Sequence, residues 1–273
     1  MTRAILLGAV GAIVSAGVFA GGFLAGRPAP ANAENGMPAV EHVASNETLD
    51  RKAVEGIIRD YLLANPEVLL EVQQALEAKQ KEEQKVAQLG VIKDNRDKIF
   101  NSATDGIVGN PNGKVTIVEF FDYNCGFCKH AIEDMKAITA AEPELRFVLK
   151  EFPILGPDSQ KASVVSMAFH KMMPEKYAEF HNQLLGGHGR ASEAAAIKIA
   201  VSLGADEAKL REGMKDPSIN DIFNETYDLA NKLAITGTPS YVIGDEVVFG
   251  AQGLQVLNEK LAAAKAACAT AAC

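Results

Sequence analysis

The stretch that most restricts what this chain can become is Cys125-Gly126-Phe127-Cys128. Ahead of it runs Val115-Thr116-Ile117-Val118-Glu119-Phe120-Phe121, β-branched and aromatic, the composition of a buried strand. Behind it, Ala131, Ile132, Met135 and Ile138 recur at helical spacing. The cysteines therefore stand at a strand-to-helix junction, with Cys125 as the expected cap and Cys128 one turn in, on the face of Ile132 and Met135. A helix start presents unpaired N–H groups and a partial positive charge, and both stabilise a thiolate at Cys125. The turn also holds the two sulfurs close enough to bridge. The remaining cysteines, Cys268 and Cys273, bring the total to four, too few for a disulfide scaffold. The close pair thus reads as a working disulfide.

The composition, 48% hydrophobic and 23% charged over 273 residues, is globular and accommodates one good-sized domain with an extra module. A net charge of -8 with no basic block argues against nucleic acid as a partner. The N-terminus sets the compartment. Arg3 precedes an apolar run from Ala4 to Gly26, and Ala31-Asn32-Ala33 is a small-residue cleavage signal. The run is about long enough to span a bilayer as an uncleaved anchor. Gly8, Gly11, Gly17, Gly21 and Gly22 weaken it as a span, so residues 1–33 are read as a cleaved signal peptide. Export places the chain in an oxidising space, the periplasm, where disulfides persist.

Residues 34–48 are small and polar, a linker. Residues 49–103 form a helical oligomerisation region and stalk. Val54, Ile57, Ile58, Tyr61 and Leu62 make one apolar stripe. Asn65-Pro66 is a break, with Asn65 as cap of a second helix carrying Val68, Leu69, Val72 and Leu76. The charged run from Lys79 to Lys85 extends it. Two short helices bury too little to fold alone, and their separation by a charged stalk favours packing against copies of the same chain. The main domain is expected over 104–267. A second strand, Leu145 to Phe152, follows the Cys helix, implying parallel pairing with a right-handed crossover. Residues from about 158 to 232 are helical throughout, with Ser192 and Asp206 as caps and a break at Asp216-Pro217. A hairpin over 240–249 and a helix over about 254–267 close the domain, and 268–273 is a Cys-containing tail whose two cysteines could bridge, pair between molecules, capture a metal or have no defined role.

Thr236-Gly237-Thr238-Pro239 leads into the hairpin. A proline there lacks the donor that strand pairing needs, and an X-Pro bond in a tight turn can be cis or trans. Glu119 sits in an apolar strand six residues before Cys125. Its burial would raise its pKa and suit it to relay the Cys128 proton, or it pairs with a lysine such as Lys150.

Four parts in this order resemble the DsbA family of thioredoxin-fold thiol–disulfide oxidoreductases: Phe120-Phe121-Asp122-Tyr123-Asn124-Cys125-Gly126-Phe127-Cys128, Glu151-Phe152-Pro153-Ile154-Leu155-Gly156, the helical insertion, and Gly237-Thr238-Pro239-Ser240. The resemblance implies an α/β thioredoxin fold with a helical insertion. It implies Cys125 as nucleophile, Cys128 as the buried resolving cysteine, a cis Pro239 facing the pair, and Thr238 offering its backbone to an extended substrate peptide. Glu119 matches the position of the family's buried acid. Ile57 to Leu69 is similar to the N-terminal region of the suppressor of copper sensitivity protein C subgroup, which implies a homo-oligomer, trimers included. Gly126-Phe127 replaces the Pro-His of strongly oxidising members. With no histidine there to stabilise the thiolate, a weaker, isomerase-like poise is expected. The implied partners are exported proteins and a membrane redox partner, either a thiol reductase or a quinone-linked oxidase. No cofactor and no metal site is expected. The alternative is a copper-binding, copper-tolerance role in which Cys125 and Cys128, with His130, hold a soft metal.

Overall fold

The computed structural model describes residues 50–270, with side chains through Ala267. The segments expected as signal peptide (1–33) and linker (34–48), Cys273, and the side chain of Cys268 lie outside the described residues. The chain divides into two units, Met1–Ile58 and Arg59–Cys273. In the first, the described residues open helix α1 (Arg51–Ala64), with Ile57 and Ile58 exposed. In the second, α1 ends and α2 (Glu67–Asp94) begins after Asn65-Pro66. Asn65 does not cap α2. Its Nδ2 donates to the Tyr61 carbonyl, closing α1 instead, and Pro66 takes the cap position without a side-chain bond. An amide side chain can serve either end of a break, and here the free carbonyls of the preceding helix win it. Leu69, Leu70, Val72 and Leu76 of α2 are exposed.

Packing begins near the C-terminal end of α2, where Gln88 and Ile92 are its buried residues. The Gln88 side chain donates to the Leu233 carbonyl at 2.7 Å. A short α3 (Arg96–Phe100) adds Ile99 and Phe100 to the same core. The packed domain therefore reaches N-terminal of residue 104, because the last turns of the stalk carry apolar residues that the sheet needs as cover.

The sheet has five strands: β1 (Gly106–Gly109), β2 (Val115–Phe121), β3 (Leu145–Glu151), β4 (Ser240–Ile243) and β5 (Glu246–Phe249), in the order β1-β3-β2-β4-β5. β1 was not anticipated. It has four residues with a glycine at each end, too short for a periodicity signal. β2 pairs parallel with β3 and antiparallel with β4, so the strand feeding the Cys pair is central. Between β2 and β3 runs α4 (Gly126–Ala141). The insertion comprises α5 (Pro157–Met172), α6 (Tyr177–Leu185), α7 (Glu193–Ser202), α8 (Glu207–Gly213) and α9 (Ser218–Lys232). Ser192 and Asp206 cap α7 and α8 as expected. α10 (Gly253–Thr270) continues past Ala267, taking Cys268 into its last turn.

Alternation along the strands sorts the core into two layers. Ile117, Phe121, Phe147 and Leu149 face one cluster with Cys128, Ile132 and Met135 of α4. Val118, Phe120, Val148 and Val242 face the other, with Ile92, Phe100 and Leu229. Period-two geometry then puts Glu119 and Glu151 on the α4 side and Lys150 on the opposite side.

β1 meets the insertion at close range. A Cβ on Gly106 would lie 1.8 Å from the Tyr177 ring, which is buried and hydrogen-bonded to Glu151. Gly106→Ala is expected to cost about 1–3 kcal/mol of stability through overpacking. Denaturant melts would show this as a lowered midpoint, and an unchanged midpoint would contradict the packing.

Candidate active site

β2 ends at Phe121 and the chain turns through Asp122-Tyr123-Asn124 into α4. The buried Asp122 carboxylate organises that turn. It accepts from the Asn124 backbone N–H at 2.7 Å, the Ser159 hydroxyl at 2.7 Å and the Leu155 N–H at 2.9 Å. Asn124 reaches the insertion, donating to the Ala191 carbonyl and accepting from the Ala191 N–H at 2.9 and 2.8 Å. Sequence reasoning saw these residues as motif letters without assigning them work. A polar turn immediately before a buried helix start was the available signal, since such a turn needs internal partners for its own polar groups.

Cys125 caps α4 in extended conformation, and its Sγ accepts from the Cys128 N–H at 3.4 Å. Both cysteines are free thiols. Both are buried, but Cys125 retains 5% of its surface and Cys128 none. The Thr238-Pro239 peptide is cis. The Cys125 thiol donates to the Thr238 carbonyl at 3.1 Å, and the Pro239 carbonyl accepts from Gly250 N–H at 2.9 Å. The structure thus brings Cys125, Cys128, Thr238 and Pro239 to one place. Gly126 and Phe127 open the helix. Phe127 is 69% exposed, with Ile154 and Leu155 also exposed on the loop after β3.

The electrostatics separate the two thiols. Cys125 is pulled down from 9.0 to about 5. A hydrogen bond from the Cys128 thiol is the largest single cause, against the opposing effect of burial. The Thr238 side chain and the N–H groups of Cys128 and Phe127 add to it. Deprotonation costs Cys125 its donation to the Thr238 carbonyl, but these donors remain. Cys128 is pushed far up by burial, by donating to Cys125 and by the charge of Glu119. Glu119, buried in β2, is pushed up to about 8 by burial and then by the Cys125 charge. It does not pair with Lys150, which projects from the other face of the sheet and bonds Asp105 at 2.6 Å. Burial likewise raises Glu151 to about 8. It sits under the turn, where Tyr177 and Tyr123 hydroxyls donate to it at 3.4 and 3.5 Å.

His130 is exposed on α4, two residues beyond Cys128, and so points away from the pair. Among the described residues no three His, Cys, Asp or Glu side chains come together to hold a metal. No helix of the described residues is long and apolar enough to cross a membrane.

Comparison with known proteins agrees with this geometry. The copper resistance protein ScsC N-terminal domain family matches residues 50–83. A linker-deletion mutant of Proteus mirabilis ScsC is 27% identical, covering 81% of this chain and 99% of its own, with a TM-score of 0.62. A thioredoxin-like oxidoreductase from Silicibacter pomeroyi is 37% identical, covering 63% of this chain and 98% of its own, with a TM-score of 0.60. The probable disulfide bond formation protein D of Bacillus cereus is 22% identical over 57% of this chain and 79% of its own length. Two Salinispora Na(+)/H(+) antiporters, NhaA 3 and NhaA 1, match at 22% and 24% identity, and the chain spans only 24% of their length. The DSBA-like thioredoxin domain family matches residues 116–262, more than half of the sequence. The chain belongs to the DSBA-like thioredoxin domain family.

Proposed function

We propose that this protein exchanges thiols and disulfides on exported proteins, with Cys125 as nucleophile, Cys128 as resolving thiol and a poise on the isomerase side. The asymmetry of the two sulfurs supports this reading above all: one is reachable and held as thiolate, the other is buried and held protonated. The Cys125 thiolate attacks one sulfur of a substrate disulfide. A mixed disulfide forms and the second substrate sulfur leaves as a thiolate. Isomerisation follows when that thiolate, or another on the substrate, attacks the mixed disulfide and returns Cys125. Reduction follows when Cys128 attacks Cys125 instead. The mixed disulfide carries no charge at Cys125, which removes one of the two causes that raise Glu119. Glu119 then ionises more readily and takes the Cys128 proton. Thr238, beside Pro239, offers backbone to an extended substrate, and Phe127, Ile154 and Leu155 give its apolar side chains a landing surface.

The isomerase poise rests on Gly126-Phe127, which supplies no side-chain donor to the thiolate. The compartment rests on the leader-like first 33 residues, and a membrane thiol reductase or quinone-linked oxidase would recycle the pair. Oligomerisation through α1 and α2 is supported by their exposed apolar residues and by the ScsC N-terminal match.

Cys125→Ser is expected to abolish reactivation of scrambled ribonuclease. Glu119→Gln is expected to keep attack by Cys125 while resolution slows about a hundredfold and mixed disulfides accumulate, the lower range of a lost general base. Retained activity in the first variant, or normal resolution in the second, would refute these roles.

Alkylation of Cys125 should rise with pH around a midpoint of about 5 and then level off. Cys128→Ala should move that midpoint up, because it deletes the largest stabilising contact. A wild-type midpoint near 9 would contradict the site. The same depression stabilises the reduced fold fully above pH 9, and that stabilisation is lost as pH falls through 5.

Ile58→Asp with Leu69→Asp should convert an oligomer to a monomer in light scattering and leave Cys125 alkylation unchanged. A wild-type monomer would overturn the proposed assembly.

A further inference from the structure

The sheet has a second functional-looking end. The Cys pair lies beyond the C-terminal end of β2. At the opposite end, where β2 and β3 begin and β4 finishes, a cavity of about 330 Å³ opens. The seven residues of β2 separate the two places by about 20 Å at ~3.3 Å per residue.

The cavity is lined by the cations Arg96, Lys114, Arg146 and Lys265, by the Phe100 ring and by Thr116, and no acidic residue lines it. In a chain of net charge -8, four cations around one hollow run against the overall field. Two of them have carboxylates at the rim: Arg96 lies 3.7 Å from Asp245, and Lys265 pairs with Glu142. Among the described residues, no carboxylate pairs with Arg146 or Lys114.

Arg146 is nonetheless held in a set orientation, by neutral acceptors alone. Its Nε donates to Thr116 Oγ1 at 3.3 Å, and its Nη2 donates to the Phe100 carbonyl at 2.9 Å and to Asn101 Oδ1 at 3.1 Å. These bonds orient the guanidinium without neutralising it. A half-buried, pre-oriented guanidinium, with the Lys114 ammonium lining the same cavity, is suited to a doubly charged oxygen anion. The cavity, at about 330 Å³, is larger than a bare ion needs, and Arg96, 5.2 Å above the centroid of the buried Phe100 ring, adds a third cation to it.

We infer that this cavity is a binding site for a small organic phosphate, its dianionic head on Arg146 and Lys114 and its organic body in the remaining volume. The site is independent of the thiol chemistry at Cys125.

Phenyl phosphate titrated into the full chain tests this, followed by the amide NMR signals of Gly113, Thr116 and Gly244 that border the cavity. Saturable shifts confined to these signals are expected, and they should weaken with added salt. Arg146→Gln should weaken binding about tenfold, the loss typical of a charge-assisted hydrogen bond. Lys114→Ala, at an exposed position where folding is not at stake, should weaken it several-fold. Benzoate, with the same ring and a single charge, should bind more weakly, and phenol should not compete. Absence of saturation at millimolar phenyl phosphate, equal binding of phenol, or affinity unchanged in both variants would overturn the inference.

Discussion

A helix that starts at the end of a buried central strand leaves N–H groups with nowhere to bond, and here the sulfur of Cys125 receives them. Much of the site depends on that contact. Because Cys125 occupies the cap, it sits at the rim where a substrate can reach it. Because Cys128 is one turn further in, it falls on the apolar face of α4 and is sealed against the sheet. The same three-residue step that brings the sulfurs together thus gives them opposite environments. One thiol is held ionised by donors, and the other is held neutral by exclusion of water.

The polar groups beneath the site serve its rigidity. Asp122 and Asn124 tie the turn to the loop after β3, to α5 and to the segment before α7, so the insertion is fastened to the strand that leads into Cys125. Glu119 and Glu151 lie on the same side of the sheet, both raised by burial, but their surroundings differ. Glu119 is electrostatically coupled to the thiols, whereas Glu151 is bonded by two tyrosines. Coupling to the sulfurs is what distinguishes Glu119 from Glu151.

Much of this was legible in the residues. Strand β2, helix α4, strand β3, the hairpin and the caps at Ser192 and Asp206 all carried local signals of periodicity, turn chemistry or capping, and local interactions formed them. The failures have a common cause. Asn65 could cap either of two helices, and the choice depended on which backbone groups were free in space. β1 is a four-residue strand whose partner, β3, is distant in sequence. The stalk's last turns joined the core because apolar Ile92, Ile99 and Phe100 cover a sheet face that no local pattern reveals. Lys150 was a reasonable partner for Glu119 until the register placed them on opposite faces.

The sequence by itself determined the chemistry: two thiols at a helix start, a Thr-Pro turn to oppose them, an acid in a buried strand and a stalk with apolar stripes. These follow from residue type and spacing, which act over one or two turns of chain. Only the tertiary structure decided how far each thiol is shifted, that Glu119 faces the pair rather than Lys150, and where four cations from separate elements converge. Those outcomes are set by burial and by the juxtaposition of residues far apart in the chain, and desolvation and Coulomb interactions act through space without regard to sequence separation.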